Sequence, residues 1–120
     1  MKILIVDDSS SMRLIIKRTL KQAGFSGLEF CEAGDGQEGL GVLESEQPDL
    51  VLCDWNMPVL SGLEMLERVR ADENPVKFGF ITTESTSEMR AKAREAGAQF
   101  LIAKPFTPES FEKTLKKVIV

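Results

Sequence analysis

The order of apolar runs constrains this chain more than any other feature. Short apolar runs at about 2–7, 28–33, 49–54, 77–82 and 100–103 alternate with segments whose apolar residues recur at helical spacing. Runs of that length suit strands buried on both faces, and strand–helix alternation predicts βαβ units around a parallel sheet. In such a sheet the groups at the carboxyl ends of the strands converge on one crevice. Here those groups are Asp7 and Asp8 after Ile3-Leu4-Ile5-Val6, Asp54 after Leu50-Val51-Leu52-Cys53, Thr82 at the end of the fourth run, and Lys104 after Leu101-Ile102-Ala103. Three carboxylates brought together repel by roughly 4 kcal/mol per pair at about 4 Å and an effective dielectric near 20, so folding alone does not favour the cluster. A hard cation does.

The helical segments differ in clarity. The spacing predicts a first helix over about 10–23 with Met12, Ile15, Ile16 and Leu20 on one face, ended by Gly24. A third opens at Ser61-Gly62-Leu63-Glu64, a capping-box pattern, and buries Leu63, Leu66 and Val69. The last is capped by Thr107 with Pro108 in its first turn, and Phe111, Leu115, Val118 and Ile119 form its inner stripe. The second, about 36–46, contains Gly39 and Gly41, each costing roughly 1 kcal/mol relative to alanine, and relies on Leu40 and Leu43. The fourth, about 86–96, shows a capping-box pattern from Ser85 to Glu88 but only Met89 as a large apolar residue, so a loose grip on the sheet is expected.

Composition narrows the function. With 120 residues and 42% hydrophobic content, residues 1–120 fit one domain with its own core. A net charge of -4 with no dense Lys/Arg run argues against a nucleic-acid partner. Met1-Lys2 leads straight into a short strand, and neither a signal-peptide pattern nor about 20 consecutive apolar residues is found, so no membrane insertion and a cytoplasmic location are expected. Cys31 and Cys53 lie inside strands and read as reduced core residues. The chain has no histidine, which removes Ser-His-Asp and Cys-His nucleophiles, His-ligated zinc, and phosphohistidine formed on this chain.

Oxygen chemistry remains. Oxygen-only ligands beside a phosphate-binding requirement point to Mg²⁺ as cofactor, with calcium the poorer fit. Asp8 and Asp54 are the expected direct ligands, Asp7 assists through water, and the backbone carbonyl of Asn56 lies where the loop leaves Asp54. Asp54 can also attack phosphorus and become an aspartyl phosphate. Phosphoryl transfer needs positioning and charge neutralisation, which gives Lys104 a phosphoryl oxygen to pair with and Thr82 one to donate to.

The set Ile5-Val6-Asp7-Asp8, Asp54-Trp55-Asn56-Met57-Pro58 with Ser61-Gly62, Thr82 and Lys104-Pro105-Phe106 resembles the receiver domain of two-component response regulators across essentially the whole chain. Trp55-Asn56 after the acceptor position, and a sequence that stops after the fifth helix, make it most similar to the single-domain chemotaxis regulators of the CheY type. The resemblance implies a flavodoxin-like α/β sandwich with a five-stranded parallel sheet in order 2-1-3-4-5. It implies Asp54 as phosphoacceptor, Asp7 and Asp8 as the acid pair for Mg²⁺, Thr82 as switch hydroxyl and Lys104 as phosphate-sensing cation. It implies a histidine kinase as phosphodonor and a downstream protein target, the flagellar motor switch among the candidates, reached through helix 4, strand 5 and helix 5. A signalling protein rather than an enzyme is expected, acting as a monomer, with a phosphorelay intermediate as an alternative role. One position departs: Leu101 stands where the family usually has Tyr or Phe, and Phe100, one place earlier, is expected to face the other way.

Three other readings share these residues. Gly34-Asp35-Gly36-Gln37-Glu38-Gly39 matches the dinucleotide fingerprint, with Asp54 about 20 residues on. Asp35, Glu38 and Glu32 surround that loop where a pyrophosphate needs a positive field, which counts against a dinucleotide-binding enzyme. A phosphatase using Asp54 as turnover nucleophile would want an acid at position 56, which is Asn56. A flavin carrier would meet Asp7 and Asp8 at its phosphate loop.

Overall fold

The computed structural model describes residues 1–119. Five strands, β1 (Lys2–Val6), β2 (Glu29–Ala33), β3 (Leu50–Asp54), β4 (Lys77–Thr82) and β5 (Phe100–Ala103), form one sheet in the order β2-β1-β3-β4-β5. Every neighbouring pair is parallel. The helices between and after them are α1 (Ser10–Gln22), α2 (Gly36–Glu46), α3 (Gly62–Ala71), α4 (Ser87–Ala96) and α5 (Pro108–Leu115). The expected α/β sandwich and strand order are therefore observed.

Period-two alternation sorts the strand residues into two cores. Leu4, Val6, Val51, Cys53, Phe78 and Phe80 pack with Leu43 of α2, Met65, Leu66 and Val69 of α3 and Ala93 of α4. Ile3, Ile5, Leu50, Leu52, Ile81 and Ile102 pack on the opposite face with Ile16 and Leu20 of α1 and Phe111 and Leu115 of α5. Both faces of the central strands are thus dry, as their unbroken apolar sequences require. Phe100 and Leu101 point to opposite faces, Phe100 toward the α1/α5 core and Leu101 toward α4. The Phe100 ring lies so close over Gly79 that a Cβ there would stand 2.1 Å from it, which explains a glycine inside a central strand.

Several helix details correct the sequence expectations. Ile15 faces water at 44% exposure, and Thr19 takes its place on the buried face of α1. Met65, at 0% exposure, belongs to the inner face of α3, while Leu63 is only partly buried. The capping residue of α4 is Thr86, whose side chain accepts from Met89 N–H at 3.1 Å, rather than Ser85. In α5 the helix stops at Leu115, and Val118 and Ile119 pack against the core from the turn beyond it. The capping box expected at Ser61 is present, and Thr107 caps α5 as expected, with Ser110 completing a box there as well.

Candidate functional site

The carboxyl end of the sheet gathers the strand-end residues. β1 and β3 are neighbours with Val6 beside Cys53, so the residues that follow them, Asp7 and Asp54, emerge side by side. Asp7, Asp8 and Asp54 each present a carboxylate oxygen within 4.8 Å of the other two. Their environments differ: Asp7 is buried, Asp54 half-buried and Asp8 exposed. Asp7 is also the best held. Its N–H donates to the Ala33 carbonyl, one carboxylate oxygen accepts from Ser9 N–H at 2.9 Å, and the other faces Lys104.

Lys104 follows β5 and reaches across β4, its Nζ lying 3.4 Å from Asp7 Oδ2 and 3.8 Å from Asp54 Oδ1. The Lys104-Pro105 peptide bond is cis. One ammonium against three carboxylates leaves two negative charges uncompensated, all on oxygen. That surplus and donor set fit a hard divalent cation, and the exposed side of Asp8 leaves room for the water ligands such a cation retains. Burial raises the Asp54 carboxyl above its ordinary value; Lys104 opposes the shift, Asp7 adds to it, and backbone N–H groups of Asn56 and Trp55 oppose it. Burial also pushes the adjacent Cys53 thiol well up, reinforced by Asp54 and Asp7, so Cys53 stays a neutral packing residue.

Thr82 ends β4 opposite Ala103 and is fully buried. Its Oγ1 accepts from Glu84 N–H at 3.3 Å and retains a proton to donate. Its carbonyl accepts from Lys104 N–H at 2.7 Å, tying the two residues' backbones together. Thr82 lies on the same sheet face as Leu101, the face that α4 covers. Asn56 follows Asp54 on an exposed loop, and its side chain faces solvent.

Glycines let α3 come close to this loop. A Cβ on Gly62 would sit 2.2 Å from the Asp54 carbonyl oxygen, and Gly62 N–H donates to Trp55 O at 2.9 Å. The glycines of the dinucleotide-like stretch have a comparable packing role: Gly36 abuts the Leu60 carbonyl and Gly39 abuts Met65. Asp35 in that stretch caps α2 by accepting from Glu38 N–H at 2.8 Å. One residue at the site carries no sequence signal. Arg13 of α1 donates through Nη1 to the Asp7 carbonyl and through Nε to Glu32 Oε1 at 2.9 Å, yet a helix-borne arginine looks like any solvated cation in sequence.

Comparison with known proteins agrees with this fold. The family described as response regulator receiver domain matches residues 3–116, and the chain belongs to that family. It is 42% identical over 122 residues to the chemotaxis protein CheY-3 of Vibrio cholerae, covering 98% of this chain and 91% of that protein. It is 40% identical to the chemotaxis protein CheY of Pseudomonas aeruginosa, covering 98% and 95%. Among solved structures, Vibrio cholerae CheY4 superposes with a TM-score of 0.85 at 36% identity, with 98% of each chain covered. No helix among the described residues is long and apolar enough to cross a membrane.

Proposed function

We propose that residues 1–120 act as one monomeric, cytoplasmic receiver in chemotaxis, phosphorylated on Asp54 by a histidine kinase. The observation that carries this is the half-buried Asp54 carboxylate, grouped with Asp7 and Asp8 and 3.8 Å from the Lys104 ammonium. An Asp54 oxygen attacks the phosphorus of the donor phosphohistidine; the P–O bond forms as the P–N bond breaks, and the imidazole leaves with its electron pair and takes a proton from water. Asp7, Asp8, Asp54 and the Asn56 carbonyl would hold magnesium, which when bound neutralises charge between carboxylate and phosphoryl oxygens. Lys104 then pairs with one phosphoryl oxygen and Thr82 donates its hydroxyl proton to another, giving up its contact with Glu84 N–H. Asn56 and Glu84, both exposed, flank the approach of hydrolytic water and tune the lifetime of the phosphoryl group.

The output passes through α4, β5 and α5 to a protein target, and the likeness to chemotaxis proteins supports chemotaxis as its setting. A groove of about 330 Å³ between these elements is lined by Arg90, Arg94, Phe100, Leu101 and Thr114. Intact-mass measurement after incubation with a small phosphodonor and Mg²⁺ should show one added phosphoryl group, none in Asp54→Asn, and none in chelator. Equal labelling of Asp54→Asn would reassign the acceptor. Sustained turnover of several phosphate esters would replace a switch by a phosphatase.

A further inference from the structure

We propose that Arg13 is a positioning residue for the cation site, holding the Asp7–Asp8 peptide so that the exposed Asp8 carboxylate faces Asp7 and Asp54. The proposal rests on the reading of those three acids as magnesium ligands. Asp7 has its own anchors, in Ser9 N–H, Lys104 and the Ala33 carbonyl. Asp8 has none: it is exposed, and among the described residues its carboxylate has no hydrogen-bond partner. Only the backbone aims it, and the peptide that carries it is the one whose carbonyl Arg13 holds.

The Arg13 side chain, 18% exposed, crosses from α1 over the end of β1 to β2, where its Nε meets Glu32. Glu32 is fixed in turn by Lys17 Nζ at 2.5 Å. A planar guanidinium can serve a carbonyl and a carboxylate at once, which an ammonium on a single stem cannot do with the same geometry. Charge alone argues the opposite effect, since a guanidinium beside a cation site repels the cation. Glu32 offsets that charge. The strap therefore aids metal binding through geometry, and the sign of its effect separates geometry from electrostatics.

The test is a Mg²⁺ titration followed by fluorescence of Trp55, which is adjacent to Asp54, in the parent protein, Arg13→Gln, Glu32→Gln and the double variant. Thermal melts in chelator establish that each is folded. Both single variants should bind Mg²⁺ about tenfold more weakly, the lower end of the loss usual when a group orienting a metal ligand is removed. The double variant should be no weaker than Arg13→Gln, because both substitutions cut one strap. In phosphorylation assays the half-saturating Mg²⁺ concentration should rise more than the plateau rate falls. Arg13→Lys should recover part of the affinity and provides the reading if Arg13→Gln does not fold. Binding as tight as or tighter than the parent in Arg13→Gln or Arg13→Lys, or opposite single effects that cancel in the double, would overturn the proposal. A parent protein with no Mg²⁺ response would overturn the metal reading itself, a result distinct from loss of response in the variants alone.

Discussion

Val59 occupies a left-handed backbone conformation, φ 69°, with 80% of its surface exposed, five residues after Asp54. The following N–H, of Leu60, donates to the Pro58 carbonyl at 2.7 Å, so the chain turns tightly about a β-branched residue that is costly there. Little burial offsets this strain. Val59→Asn should raise stability by about 1 kcal/mol, seen as a higher denaturant midpoint with an unchanged slope; a lower midpoint would mean that Val59 makes stabilising contacts outweighing its strain. Asp54 stores a different cost. Its folded-state pKa is raised, so as pH rises the unfolded chain loses this proton first and stability falls until the folded carboxyl has ionised too. In chelator, Asp54→Asn should therefore melt higher than the parent at neutral pH. The gap should close below the ordinary carboxylate range, where Asp54 is protonated in both states. A gap that widens on acidification would refute this sign.

Among the helices α4 is the least anchored, since Ala93 is its one buried residue. Its N-terminal end depends on the Thr86 cap, whereas its C-terminal end is gripped by Arg70 of α3, which donates through Nη2 and Nε to the Gly97 carbonyl at 2.7 and 3.3 Å. Thr86→Ala should cost about 1 kcal/mol of local helix stability. Hydrogen exchange should show α4 amides exchanging several-fold faster, with β1 and β3 unchanged; uniform acceleration across the sheet would show that α4 unfolds only with the whole molecule. The strands and their terminal acids were legible in sequence because unbroken apolar runs ended at charged residues. Helix faces were less so. Ile15 and Ile16 are equally apolar neighbours, and only packing against the sheet and α5 decides which turns inward. Ser85 and Thr86 are equally good caps by type, and backbone geometry selects Thr86. Arg13 and Arg70 act through backbone carbonyls outside their own helices, contacts that no helical pattern encodes.

At the scale of the whole molecule, the acids lie at the carboxyl edge of β1 and β3, while the β5 side of the sheet carries the groove beside α4. Lys104 and Thr82 link the two regions, one by side-chain contact with the acids and both by their shared backbone bond. Addition of phosphodonor and Mg²⁺ should therefore shift amide resonances through Thr82–Gly97 and β5. It should leave the opposite edge, where Lys2 N–H donates to Asp49, nearly unmoved; shifts spread evenly over both edges would argue against a directed response. The Arg70 grip on Gly97 gives that response a mechanical form. A helix of ten residues is a rod about 15 Å long, and with one end pinned, a displacement of about 1 Å at Thr86 turns its axis by roughly 4° instead of sliding it along the sheet. The surface read by a partner would then change by tilt, greatest near Glu84 and vanishing at the pivot.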